Sequence, residues 1–235
     1  MFCVAGHQPN LYPYGGFFAK AASVQAFVIV DSTQYVKKEY HNRNRIKLLD
    51  GNIHWLTVPV RNAGRYAQKI NEVEIDNSQD WRKIHRKTLF LNYKKTPFFS
   101  EYFPFIEEML SKEWNMLVDY NMEFIRNIMK ILQIDIQVHM TSTEGMSGKA
   151  TELILDICRK TGAEAYVHGG NSRDYVDFGM LESNGVRSLV QDFNCIKYPQ
   201  TKEPFSPNLS IIDMLFNCGS ETKNLLIEGN KIISL

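Results

Sequence analysis

An imidazole, two carboxamides and two tyrosines crowd the stretch His7-Gln8-Pro9-Asn10-Leu11-Tyr12-Pro13-Tyr14, and a glycine pair, Gly15-Gly16, follows. A connector that only had to turn would not need that inventory. A histidine in such a loop can take a proton from, or stabilise charge on, a transferring acyl or phosphoryl group. It can equally tie the loop together through backbone hydrogen bonds. On the first reading His7 is the catalytic residue, and Gln8, Asn10 and Tyr12 orient substrate amides or hydroxyls. On the second, the asparagine beside proline is turn chemistry.

Asn42-Arg43-Asn44-Arg45-Ile46-Lys47 is the next signal. On an extended segment Arg43, Arg45 and Lys47 share one face, which suits a diphosphate gripped by guanidinium forks, and Asn42 and Asn44 point the other way. The plainer alternative is a basic strand edge that discourages aggregation. A third polar stretch, His168-Gly169-Gly170-Asn171-Ser172-Arg173-Asp174-Tyr175, places glycines where backbone can approach a phosphate or sugar, or simply turn tightly, with Ser172 placed to cap a helix. Asp31, Gln34 and Tyr35 open a further polar loop. Ser147-Gly148-Lys149 lacks the spaced first glycine of a phosphate loop and reads as a helix start. His41, His54, His85 and His139 have no metal-ligand spacing, so no metal is expected.

The elements that must hold these groups follow from apolar patterning. Phe2-Cys3-Val4 and the run Ala26 to Val30 read as buried strands, with a helix from about Gly16 to Val24 between them. Ile53 to Val60 reads as a strand after the Asp50-Gly51 turn, and Lys69 to Ile75 alternates as a partner for it. From Trp81 to Ile134 the spacing is helical, with Asp80 as a cap and Pro97 and Pro104 as punctuation. Ile134 to His139 is a strand, Thr151 to Lys160 a helix stopped by Gly162, Ala163 to Val167 a strand, Arg173 to Ser183 a helix, Val186 to Val190 a strand, and Asn208 to Phe216 a late helix. Strand–helix alternation at both ends implies an α/β fold with a mostly parallel, nucleotide-binding-like sheet in three layers. The expectation is one domain over residues 1–235, with a helical insertion or cap at about 78–133. Ligands would then gather beyond the carboxyl ends of the strands, where the loops opening at His7, Asp31 and His168 can meet.

Bulk properties remove other classes. Lys+Arg total 27 against Asp+Glu 26, so no global field points to nucleic acid. No apolar stretch approaches the roughly 20 residues of a membrane-spanning helix, and no signal peptide is expected. The four cysteines (Cys3, Cys158, Cys195, Cys218) are scattered, which fits free thiols in a reducing cytoplasm.

Taken together, His7-Gln8-Pro9-Asn10, Gly16-Phe17-Phe18-Ala19-Lys20, Phe27-Val28-Ile29-Val30-Asp31, Gln34-Tyr35, Asn42 to Lys47, Trp55 to Val60, Gly169-Gly170 with Arg173-Asp174-Tyr175, and Leu209 to Asp213 resemble the WbqC-like proteins, in order from about residue 5 to 219. The resemblance implies an acyl or aminoacyl (glycyl) transferase acting on an amino-sugar nucleotide in bacterial surface-polysaccharide (O-antigen) biosynthesis. The donor would be a preformed thioester, an aminoacyl-tRNA ester or an adenylate made from ATP, and tRNA would be the only nucleic acid involved. His7 would polarise or deprotonate; Arg43, Arg45 and Lys47 would hold the diphosphate. Gln8, Asn10, Tyr12, Asp31, Gln34, Tyr35, Asn42, Asn44, His168, Gly169, Gly170, Ser172, Arg173 and Tyr175 complete the expected substrate contacts. Two departures from the family pattern, Leu11 to Gly16 and Lys38-Glu39-Tyr40-His41, bear on substrate preference. A non-catalytic nucleotide-sugar-binding module and a nucleotidyltransferase are the alternatives.

Overall fold

Eight strands run in chain order: β1 (Cys3–His7), β2 (Ala26–Ile29), β3 (Arg43–Lys47), β4 (Ile53–Thr57), β5 (Gln137–Met140), β6 (Ala165–His168), β7 (Arg187–Phe193) and β8 (Asn230–Ser234). Eight α-helices accompany them: α1 (Gly15–Ala21), α2 (Trp81–Tyr93), α3 (Phe99–Ser111), α4 (Leu117–Ile131), α5 (Thr151–Thr161), α6 (Phe178–Ser183), α7 (Ile211–Cys218) and α8 (Thr222–Glu228). This computed structural model describes residues 1–235, apart from the side chains of Asn171 and Arg173.

The main sheet has the order β5-β2-β1-β6-β7-β8, parallel throughout except for the antiparallel β7–β8 pair. Its central strands read as unbroken apolar runs because both faces are covered. Ala5, Phe27, Ile29 and Val167 face one core, with α1, α2–α4 and α7 packed on it. Val4, Ala26, Val28 and Tyr166 face the other, under α5 and α6. The fold is therefore α/β with a mostly parallel sheet between two helical layers. From β1 the chain moves outward to β2 and later β5, then returns to β6 on the opposite side of β1. The strand order thus reverses between β1 and β6, the place where open α/β sheets leave a crevice.

β3 and β4 form a separate hairpin in register Arg43↔Thr57 to Lys47↔Ile53, closed by Leu48–Asn52 with Gly51 at φ +94°. Helices α2–α4 occupy the helical stretch read from sequence, and Gly162 ends α5 in the left-handed conformation at φ +73°. Pro104 lies inside α3 rather than breaking it.

Three expectations are corrected. Lys69 to Ile75 is not a strand: Ile70–Glu72 is a 3₁₀ turn closed by the Glu72 carboxylate on the Lys69 amide, and only Ile75 bridges to Val60. Arg173 to Ser183 is not one helix but a 3₁₀ turn (Gly170–Asp174) followed by α6. Ser172 caps nothing, because it lies within the 3₁₀ turn; Asp177 caps α6 by accepting from the Met180 amide.

Candidate functional site

At the switch point a cleft of about 740 Å³ opens beyond the carboxyl ends of β1 and β6. His7, the last residue of β1, borders it and packs its ring edge-on against Phe17 of α1, centroids 4.8 Å apart. Its Nδ1 lies 2.9 Å from the Gln8 carbonyl oxygen, which can only accept. Nδ1 therefore carries the proton and Nε2 keeps a lone pair. Burial, reinforced by the nearby Lys20 charge, pulls the His7 pKa down to about 3, so the imidazole is neutral at pH 7.

A second cleft of about 470 Å³ lies against the first, and His7, Gln8 and Tyr14 line both. Asn10, Glu39, Tyr40, His41, Asn44, Arg45 and Asn208 complete it. Between the two, Gln8 is fixed at both ends. Its Oε1 faces His41 Nε2 at 3.0 Å, and its Nε2 donates to Thr33 Oγ1 at 3.0 Å. The Val36 amide donates to His41 Nδ1, so His41 Nε2 must be the protonated nitrogen that donates to Gln8. Asn121 of α4 donates to the carbonyls of Pro9 and His41 at 2.8 Å each, pinning the first loop to the turn that enters the hairpin.

Lys20 is the feature that sequence reading passed over. The last basic residue of α1 is 5% exposed, lines the larger cleft, and has no hydrogen-bond or ion-pair partner among the described residues. Burial alone draws its pKa down to about 8. Its charge also helps depress His7 and His168, the latter to about 4, mostly by burial. A signal was present: Lys20 stands three residues after the inward Phe17 in an otherwise apolar helix. His41, which has no metal-ligand spacing in the sequence, orients Gln8 instead.

The expected residues separate into three groups. His7, Gln8, His168, Gly169, Gly170, Ser172 and Tyr175 meet around the larger cleft, and Asn10, Asn44 and Arg45 line the smaller one. Others bear on the scaffold. Tyr12 is fully buried, with its hydroxyl 2.5 Å from Tyr120 Oη and 3.2 Å from His85 Nδ1. Asp31 accepts from Thr141 Oγ1, Ser142 N and Ser142 Oγ, tying the end of β2 to the end of β5. Asn42 donates to the Val58 carbonyl, Gln34 to the Tyr66 carbonyl, and Tyr35 is buried beside the His41 ring. The Arg173 side chain lies outside the described residues.

The three cations of β3 do not make one open grip. Arg43 stacks 4.2 Å from the Trp55 ring and donates to the Lys38 carbonyl. Arg45 donates to the Asn208 carbonyl at the smaller cleft. Lys47 is fully buried, donating to Gln200 Oε1 and the Pro204 carbonyl. Alternation put them on one face of the strand, but α7 and the 198–206 segment cover its far end. Among the described residues no three His, Cys, Asp or Glu side chains gather as a metal site.

A neutral imidazole with a free Nε2, fixed by its neighbour's carbonyl and shared by two clefts, can accept a proton from a nucleophile on one side while a second ligand sits on the other. The model of the WbqC-like protein family matches residues 8–225. A protein of Mycobacterium tuberculosis (strain ATCC 25618 / H37Rv), described as "Uncharacterized protein Rv1507c", is 34% identical over 225 residues, spanning 95% of this chain and 96% of its own. No solved structure matches the chain.

Proposed function

The chain belongs to the WbqC-like protein family, and we propose that it transfers an acyl or aminoacyl group, such as glycyl, to the amine of a nucleotide-linked amino sugar in bacterial surface-polysaccharide assembly. One observation carries this reading: His7 borders both clefts, so two substrates can meet at a single imidazole. The acceptor amine attacks the carbonyl carbon of the activated donor, forming the C–N bond as the bond to the leaving group breaks. The amine proton passes to His7 Nε2 and from there to the leaving group. The surroundings favour this step at its start. Desolvation and the Lys20 charge, which depress His7, also disfavour a bound substrate ammonium relative to its neutral, nucleophilic form.

The test supplies glycine with ATP, a glycyl thioester or glycyl-tRNA to the protein together with a nucleotide-linked 4-amino sugar, and reads the sugar's mass. One added glycyl group is expected, and His7→Gln should slow its appearance about 100-fold, the usual contribution of a positioned acid–base group. No mass change with any donor refutes the reading; saturable sugar-nucleotide binding without turnover would leave a binding module in its place.

A further inference from the structure

We propose that the wall of the larger cleft formed by Lys20, His168, Gly169 and Ser172 is a subsite for a phosphoryl group, with the Lys20 ammonium as its charge partner. The inference rests on the two-cleft reading above and assigns one cleft the anionic end of a substrate. Burying an ammonium without a counter-ion costs several kcal/mol, so folded proteins pair such groups. Here the fold leaves Lys20 without an acceptor among the described residues, at the edge of a cavity large enough for a ligand.

A second observation points the same way. Ser172 is 1% exposed, lines the cleft, and its Oγ has no hydrogen-bond partner among the described residues. A buried hydroxyl left open is costly unless something arrives to bond it. The glycine between them keeps the space: a Cβ on Gly169 would stand 3.3 Å from Lys20 Nζ. A phosphoryl group carries several acceptor oxygens, enough for both the ammonium and the serine hydroxyl, and a charge-assisted contact in a shielded cleft is stronger than one at the surface. The other titratable groups lining the cleft are His7, Tyr14, Tyr166, His168, Tyr175 and Asp192. Asp192 is their only carboxylate and is exposed, so the interior carries unmatched positive charge. Arg45 and Lys47, the cations that patterning singles out, are held by carbonyl and carboxamide oxygens instead.

The probe is inorganic pyrophosphate, titrated calorimetrically into the protein in a low-anion buffer at pH 7, with no donor or acceptor present. Saturable binding is expected. Lys20→Met should weaken it at least about tenfold, and Gly169→Ala several-fold by crowding the ammonium. Lys20→Arg should keep most of the affinity, and Arg45→Ala should change it less than about twofold. In the wild-type protein, imidazole NMR should show His7 and His168 titrating at higher pH once pyrophosphate is bound, because burial depresses them most and the anion offsets the Lys20 charge that adds to it. UDP and ADP, titrated in parallel, distinguish a phosphoryl group of the sugar nucleotide from one of an adenylated donor; Lys20-dependent binding of either supports the subsite. Undiminished binding by a folded Lys20→Met protein, an equal loss in Arg45→Ala, or no binding by the wild type overturns the assignment. Binding is read without turnover, so a failed glycyl-transfer assay leaves this result standing, and the converse also holds.

Discussion

Two lysines, both almost wholly withdrawn from water, are treated in opposite ways. Lys47, on β3, is fully buried and has its acceptors within the chain. Its ammonium donates to Gln200 Oε1 and the Pro204 carbonyl, and its charge acts on the buried Asp213 of α7. Asp213 in turn accepts from Tyr93 Oη at 2.7 Å, Tyr198 Oη at 2.8 Å and Gln200 Nε2 at 3.2 Å, while the Tyr93 hydroxyl also receives the Lys47 amide. Burial pushes the Asp213 carboxyl up, and the three donors and Lys47 act against that rise. Lys20, on α1, has no such company among the described residues, and the cleft beside it is open. A cation whose partners are supplied by the chain locks two elements together. One left without partners inside a cavity marks a place where the partner comes from outside.

The contrast is broken most forcefully at Lys47. Lys47→Met removes the buried donor to Gln200 Oε1 and the Pro204 carbonyl and the weakest of the influences that hold the Asp213 carboxyl down, and about 3 kcal/mol of unfolding free energy should be lost in urea titration. At Lys20 the sign reverses. Lys20→Met removes a buried, unpaired charge, so the ligand-free protein should gain about 2 kcal/mol at pH 7 by the same measurement. A loss at Lys20 matching that at Lys47 would mean the two sites are alike.

The smallest effect sharpens the comparison through pH. Lys20 has a folded pKa of about 8, below its ordinary value of 10.5. Between those values the unfolded chain binds more protons than the folded one, so folding stability due to Lys20 rises with pH and is fully penalised below pH 8. The advantage of Lys20→Met should therefore shrink by about 1–2 kcal/mol as pH is raised from 8 to 10.5, measured as the difference between the two proteins so that other titrations cancel.

How much of this was readable beforehand depended on the range of the determining contact. Ala26 to Ile29 is apolar at every position and reads as a strand covered on both faces, and Gly162 stopped α5 where a left-handed residue was needed. Lys69 to Ile75 alternated like a strand, yet the Glu72 side chain satisfies the Lys69 amide locally and no ladder forms. The loop carrying His7 stood out by residue type, and it does border both clefts. Arg43, Arg45 and Lys47 stood out equally, but alternation is a property of one strand. It says nothing of what packs against that face, and the groups that claim Lys47 lie more than 150 residues away.

From residue order alone came the α/β alternation, the membership signature of the family, and the candidacy of the His7 loop, because each depends on neighbours in sequence and on short-range sterics. Only the tertiary structure decided which cation is spent and which is free. That choice turns on the return of β6 beside β1 and on the packing of α7 over β3, long-range contacts through which an inward-facing lysine meets either a carboxylate network or an open cleft.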